Sequence, residues 1–197
     1  MNSGMKKLFT AVLALLILSL SVAADDKTAA ENVLKSKLNA AIAVLQKEDV
    51  DPQVKSNKIE EIMAPMFDFS LMAKLTLGRR YWPKLNNGDQ QRFTKLFTKL
   101  LKTSYLQKLI GYTDEKIMYE SPVQIEQKVQ IPTYLVSKDK KMSILYKLYE
   151  SQSGWKIYDI EIQGVSIVRS YRSQFIPILQ SGTIEDLMQD LEKSVNN

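Results

Sequence analysis

Apolar positions follow three successive patterns along the chain. A largely apolar run from Leu8 to Val22 follows Lys6 and Lys7 and ends at Val22-Ala23-Ala24, before Asp25 and Asp26. A basic start, an apolar stretch and small residues at its end predict a secretory signal peptide over residues 1–24, cleaved after Ala24. The run is shorter than the ~20 residues a spanning helix needs. Helical periodicity then takes over. Leu34, Leu38, Ala41, Ile42 and Leu45 predict an amphipathic helix from Asp26 to about Gln46, which Pro52 prevents from continuing. Ile59, Ile62 and Met63 mark a second helix reaching Pro65, and Phe69 to Leu77 a third that stops at Gly78. After Asn86-Asn87-Gly88, Asp89 is placed to cap the longest helix, with Phe93, Leu96, Phe97, Leu100, Leu101, Tyr105 and Leu109 on one broad apolar face.

From Glu115 the pattern changes to alternation of β-branched and aromatic residues with polar ones. It predicts four strands: Ile117–Glu120, Ile125–Val136, Met142–Tyr149 and Trp155–Gln163. Lys138 to Lys141 and Ser151 to Gly154 supply hairpin turns. Pro132 falls where the alternation shifts from Val129 and Ile131 to Tyr134 and Val136, which predicts a bulge or an edge position. Helical spacing returns at Ser166, with Ile167, Val168, Tyr171, Phe175, Ile178 and Leu179. Thr183 and Asp186 form a capping pair for a last helix through Leu187 and Leu191. Helices on both sides of a block of strands predict an α+β domain, a twisted antiparallel sheet of about four strands wrapped by several helices, and not a doubly wound parallel sheet. No repeat or linker divides it, so residues 25–197 are expected to form a single domain. A helical layer over such a sheet closes as a core or stays open as an apolar cavity. Periodicity does not distinguish the two.

Composition narrows the chemistry. The full chain carries 27 basic residues against 22 acids; without Lys6 and Lys7 the balance is 25 against 22, a net of +3. That is a mild excess, far from the balance of a nucleic-acid-binding protein, so no nucleic acid partner is expected. The sequence contains neither cysteine nor histidine. An exported domain of this kind must be stable without disulfides, and it lacks a lipidated N-terminal cysteine. It also lacks the commonest general base, the thiol nucleophiles and the usual transition-metal ligands, so no metal site and no cofactor are expected. There is no phosphate-binding loop, glycine fingerprint for a nucleotide, or serine elbow. Asp159 and Glu161, two apart on a predicted strand, share a face in a spacing compatible with acid–base work. Tyr158, Ile160 and Ile162 would occupy the opposite, apolar face, so both acids are expected to point to solvent. The chain is therefore not expected to be an enzyme.

Several segments resemble the MlaC family, also called the toluene-tolerance or Ttg2 auxiliary family, of periplasmic phospholipid-binding proteins of Gram-negative bacteria. They are Phe67-Asp68-Phe69 with Met72-Ala73, Leu77-Gly78-Arg79 and Tyr81-Trp82; Gln91-Arg92-Phe93, Leu96-Phe97 and Leu101 to Tyr105; and, most specific, Gly154-Trp155-Lys156-Ile157-Tyr158-Asp159, Gly164-Val165-Ser166 and Tyr171-Arg172-Ser173-Gln174-Phe175. Arg80 is an additional basic residue relative to the family's tighter Gly-Arg-Tyr-Trp, and Ser104 replaces a usual threonine; neither is expected to touch the cavity. The resemblance implies a mixed fold whose interior takes up phospholipid acyl chains, and no catalysis. It also implies a periplasmic shuttle between an outer-membrane lipoprotein–porin complex and an inner-membrane ABC transporter with a hexameric lipid-binding component, maintaining outer-membrane lipid asymmetry. The alternative reading is a periplasmic binding or assembly factor with a closed core and no lipid. On the lipid reading, the inward faces name Phe97, Leu101, Tyr105, Tyr146, Ile160, Ile162, Val165, Val168, Tyr171 and Phe175 as cavity wall. Headgroup or partner docking falls to Arg79, Arg80, Lys95, Lys99, Arg169 and Arg172, with Lys95 and Lys99 in a basic stripe that also holds Arg92 and Lys102.

Overall fold

The computed structural model describes residues 26–106, 116–137 and 141–196. The expected signal peptide, Leu109 and residues 138–140 of one expected hairpin turn lie outside them. Six α-helices stand among the described residues: α1 Asp26–Leu45, α2 Pro52–Met63, α3 Phe69–Tyr81, α4 Asn87–Leu101, α5 Ile167–Ser181 and α6 Ile184–Asn196. Local chemistry accounts for most of their ends. The Asp51 carboxylate accepts the N–H groups of Gln53 and Val54 ahead of Pro52, where a missing N–H costs nothing. Asp68 accepts from the Leu71 N–H at 2.8 Å. Thr183 and Asp186 cap each other reciprocally, as their spacing predicts. The cap of α4 is Asn86, whose side chain accepts from the Asp89 N–H at 2.9 Å, and not Asp89 itself. Nor is α4 the longest helix described; α1 is, because at Lys102 the α4 ladder widens into a π-turn running to Leu106.

The first run of α3 stops at Gly78, as its sequence predicts, and a separate turn continues beyond the break to Tyr81. The φ of 65° and ψ of −173° at Gly78 lie in a region open essentially to glycine alone. A Cβ there would also stand 2.6 Å from the Arg172 guanidinium. Gly78→Ala is expected to lower stability by about 1–3 kcal/mol, chiefly through backbone strain. Chemical denaturation reads this directly, and an unchanged midpoint would contradict the assignment.

The strands among the described residues are β1 Lys116–Tyr119, β2 Val123–Ile125, β3 Lys128–Val136, β4 Lys141–Ser151, β5 Gly154–Ile162 and β6 Val165–Ser166. They form one antiparallel sheet in the order β1-β3-β4-β5-β6, with β2 paired to β3. The expected strand Ile125–Val136 divides in two because Glu126 takes a positive φ of 56° and turns the chain. Pro132 causes no bulge: Val129, Ile131, Thr133 and Leu135 are buried in unbroken alternation, so Leu135 and not Tyr134 faces inward. Glu120 donates its N–H to the Pro132 carbonyl in the gap between β1 and β2, so the proline's absent donor falls where no strand needs it.

The bulge lies in β5 instead. Lys147 pairs with Asp159 and Leu148 with Ile157, leaving Tyr158 as the extra residue. This is why Ile157 and Ile160, three apart, share one face. It also moves Tyr158 off that face, to the side of Tyr149, 6.2 Å between ring centroids.

Candidate functional site

The cross-strand pairs Val129–Leu148, Ile131–Tyr146, Thr133–Ile144, Leu148–Ile157, Tyr146–Ile160 and Ile144–Ile162 define the inner face of the sheet. Burial along this face is uneven. Val129, Ile131, Leu148 and Ile157 are fully buried beneath Ala30, Leu34 and Leu38 of α1, with Met66 beside them. Ile144, Ile160 and Ile162 on the same face are only half-buried. α1 thus seals one end of the inner face and leaves apolar side chains partly uncovered at the other.

Facing that end is a second apolar cluster, built by α3, α4, α5 and α6. Its centre is a group of rings: Phe97 meets Tyr171 edge-on at 5.3 Å, Phe93 meets Phe175 edge-on at 5.9 Å, and Phe93 stacks on Phe97 at 6.1 Å. Phe67 and Ile160 touch both clusters, so Ile160 sits on the seam between them. The interior is two cores meeting along an apolar line.

The wall residues expected from the sequence divide accordingly. Phe97, Leu101, Val168, Tyr171 and Phe175 are buried in the helical cluster, and Tyr105, Ile160 and Ile162 pack half-buried against it. Tyr146 belongs to the cluster under α1; burial pushes its phenol well above the ordinary tyrosine range, and the Tyr105 phenol is raised for the same reason. Val165 joins neither cluster. It is 59% exposed in β6, because the chain turns outward at Gly164 and returns only at Ser166, whose hydroxyl is buried as the α5 cap. Ser104, expected to lie away from the wall, accepts a 3.3 Å hydrogen bond from the Tyr171 hydroxyl. Ile144, which the apolar alternation of its strand also predicts for the sheet wall, is half-buried and packs against the cluster under α1.

The outer face of β5 corrects the expectation of solvated acids. Asp159 is buried: its carboxylate accepts from the Ser166 hydroxyl at 2.7 Å and the Val168 N–H at 3.2 Å, and lies 3.3 Å from the Lys147 ammonium. Glu161 pairs with Lys147 at 2.5 Å and Arg169 at 2.9 Å. Alternation placed these acids correctly away from Ile160 and Ile162, but it does not show that the start of α5 folds over them. Burial works to lower the Lys147 pKa; its bonds to Glu161 and the charge of Asp159 outweigh that and hold it above the usual value. Both carboxylates are committed to structural partners. A cleft of about 360 Å³ opens beside this network, lined also by Leu75, Tyr158 and Arg172. A wider one of about 510 Å³ shares Leu75 and Tyr158 with it and reaches Leu71, Tyr149 and Lys128. There the Tyr149 hydroxyl donates to Asp68, which pushes its pKa up to about 12.

The basic groups expected to dock a headgroup or partner do not form one set. Arg169 is tied to Glu161. The stripe on α4 is broken, since Arg92 clamps Glu185 and Glu192 of α6 at 2.6 and 2.9 Å and Lys102 pairs with Glu60 at 2.5 Å. Lys95 and Lys99 are exposed on α4, while Arg79, Arg80 and Arg172 gather around the Gly78 break. Among the described residues no helix is long and apolar enough to cross a membrane, and no cluster of acidic side chains is arranged to hold a metal ion.

Comparison with known proteins agrees with this architecture. The family model described as MlaC protein matches residues 35–193. The intermembrane phospholipid transport system binding protein MlaC of Haemophilus influenzae is 22% identical over 152 residues, covering 74% of this chain and 71% of that protein. A phospholipid-binding protein from Ralstonia solanacearum, solved in complex with a phospholipid, superposes with a TM-score of 0.77 at 21% identity, covering 85% of this chain and 97% of the other. That likeness establishes a shared fold.

Proposed function

Because the chain belongs to the MlaC family, we propose that it is a periplasmic phospholipid carrier, exported by a signal peptide over residues 1–24 and working as one domain over residues 25–197. It passes lipid between an outer-membrane lipoprotein–porin complex and an inner-membrane ABC transporter, and performs no catalysis. The names of the relatives from Haemophilus and Ralstonia, one a phospholipid transport binding protein and the other a phospholipid-binding protein, support this reading.

The observation that carries it is the half-buried row Ile144, Ile160 and Ile162 at the end of the inner face that α1 leaves uncovered, toward the helical cluster. Acyl chains enter along that seam and complete a burial that the protein alone leaves unfinished. Each methylene moved from water contributes about 0.8 kcal/mol, so two long chains offer about 20 kcal/mol or more before costs. Parting the seam and ordering the chains absorb much of this, and the net falls within the ordinary non-covalent ceiling. Even so, release into water is slow. Transfer therefore requires docking, so that the chains slide from one apolar site into another.

Native mass spectrometry of residues 25–197, purified without detergent from a Gram-negative periplasm, is expected to show a diacyl phospholipid retained by the folded protein. A clean apo mass from folded protein would leave the closed-core interaction protein as the better reading.

A further inference from the structure

All 22 acidic residues lie outside two stretches of the chain, residues 69–88 and 162–184. The first contains Lys74, Arg79, Arg80 and Lys84; the second contains Arg169 and Arg172. The fold brings these acid-free stretches together as α3 and α5, which pack along one another. At their closest approach the Arg172 guanidinium lies against Gly78, beside the residue that opens the Arg79-Arg80 pair. Arg80 and Lys84 both lie over the Tyr81 ring, at 5.4 and 5.9 Å from its centroid. Arg169 is neutralised by Glu161, but Arg79, Arg80, Lys84 and Arg172 are exposed and have no acidic partner among the described residues.

The end of a helix attracts one or two cations through its dipole, which accounts for part of Arg79 and Arg80. It does not account for Lys84 beyond that end or for Arg172 on a different helix. Four like charges held together without an acid repel one another, a cost that the ring contacts of Arg80 and Lys84 offset only in part. The ridge also lacks an apolar wedge to insert into a bilayer. Among the described residues the large exposed apolar side chains are Val33, Val54, Met118, Val123, Ile125 and Val165, and none lies on α3, α5 or the Trp82–Lys84 turn. Guanidinium groups suit carboxylate and phosphate alike; with no exposed apolar side chain beside them to enter a lipid surface, a protein carboxylate is the fitting partner.

We propose that the ridge formed by Arg79, Arg80, Lys84 and Arg172 is the docking surface for an acidic, carboxylate-bearing face of a protein partner. The proposal rests on the carrier reading, which requires docking, and adds the place and the chemistry of one contact. It separates cargo from partner: the inner-face seam holds the chains, and the ridge finds the recipient or donor.

The test compares the triple variant Arg79→Gln, Arg80→Gln, Lys84→Gln, and Arg172→Gln separately, with a control of equal charge change, Lys47→Gln, Lys58→Gln, Lys116→Gln. Binding to poly-L-glutamate is measured across a salt series, and bound lipid is read by native mass spectrometry. The ridge triple variant is expected to bind poly-L-glutamate about tenfold or more weakly with a shallower salt dependence, and Arg172→Gln to weaken it in the same direction; the control stays within about twofold. Lipid content and thermal midpoint are expected to be retained or raised. Equal losses in the control would reduce the ridge to general surface charge and overturn the proposal. Loss of lipid from the ridge variants would assign it to cargo instead. Tighter binding to phosphatidylglycerol vesicles than to poly-L-glutamate, lost in the same variants, would assign it to a membrane. If the wild-type protein carries no lipid but the ridge still selects poly-L-glutamate, the carrier reading fails while the docking surface stands.

Discussion

Asp159→Ala is expected to destabilise the domain by about 3–5 kcal/mol, the range for a buried ion pair broken by removal of one partner. Three groups lose their acceptor together. The Lys147 ammonium keeps only Glu161, the Ser166 hydroxyl loses its bond, and the Val168 N–H at the first turn of α5 is left without a partner in a buried setting. The damage reaches the interior because α5 carries Val168, Tyr171 and Phe175 into the helical cluster. Asp159→Asn is expected to fall between wild type and alanine, since it keeps one acceptor but loses the charge opposite Lys147. Denaturant unfolding of both variants measures the effect. A loss below about 1 kcal/mol for the alanine variant would show that water replaces the carboxylate cheaply and that the network does not anchor α5.

The second large effect concerns cargo. Ile162→Asp is expected to reduce phospholipid retention by about a hundredfold or more while leaving a cooperatively folded protein. Ile162 is half-buried on the inner face and pairs with Ile144 across the ladder. In the lipid-free state a carboxylate there keeps part of its hydration. Once acyl chains cover it, that hydration is lost at a cost of several kcal/mol, and each 1.4 kcal/mol is about tenfold in affinity. Val165→Asp makes the same chemical change 59% exposed in β6, outside both clusters, and is expected to leave retention unchanged. Native mass spectrometry of the two variants side by side gives the comparison. Equal lipid content in both would remove the seam from the binding site, and loss in Val165→Asp alone would move the site to the turn before α5.

Which class of element each stretch forms was legible because it depends on periodicity and on residues close in sequence. Leu34, Leu38 and Leu45 mark one stripe of α1, and all are buried as that stripe predicts. Thr183 and Asp186 announce the start of α6 through a bond spanning three residues. Absence of histidine and cysteine is a fact of composition alone. The motifs of the last third, Gly154 to Asp159 and Tyr171 to Phe175, were enough to point to the family.

Contacts between distant segments decided the rest. Local spacing carries no record of the β5 bulge, because the extra residue at Tyr158 is defined only against Lys147 and Leu148 across the ladder. The same holds for Asp159, which alternation sends away from the apolar face and only the return of the chain at Ser166 buries. Arg92 reads as one more lysine-stripe neighbour until α6 arrives with Glu185 and Glu192. The uneven burial of Ile131 and Ile162, similar side chains on one face, depends on where α1 ends over the sheet. Periodicity determines which side of an element is apolar. Only the packing of elements far apart in the chain determines whether that side is sealed, shared along a seam or left for a ligand to cover.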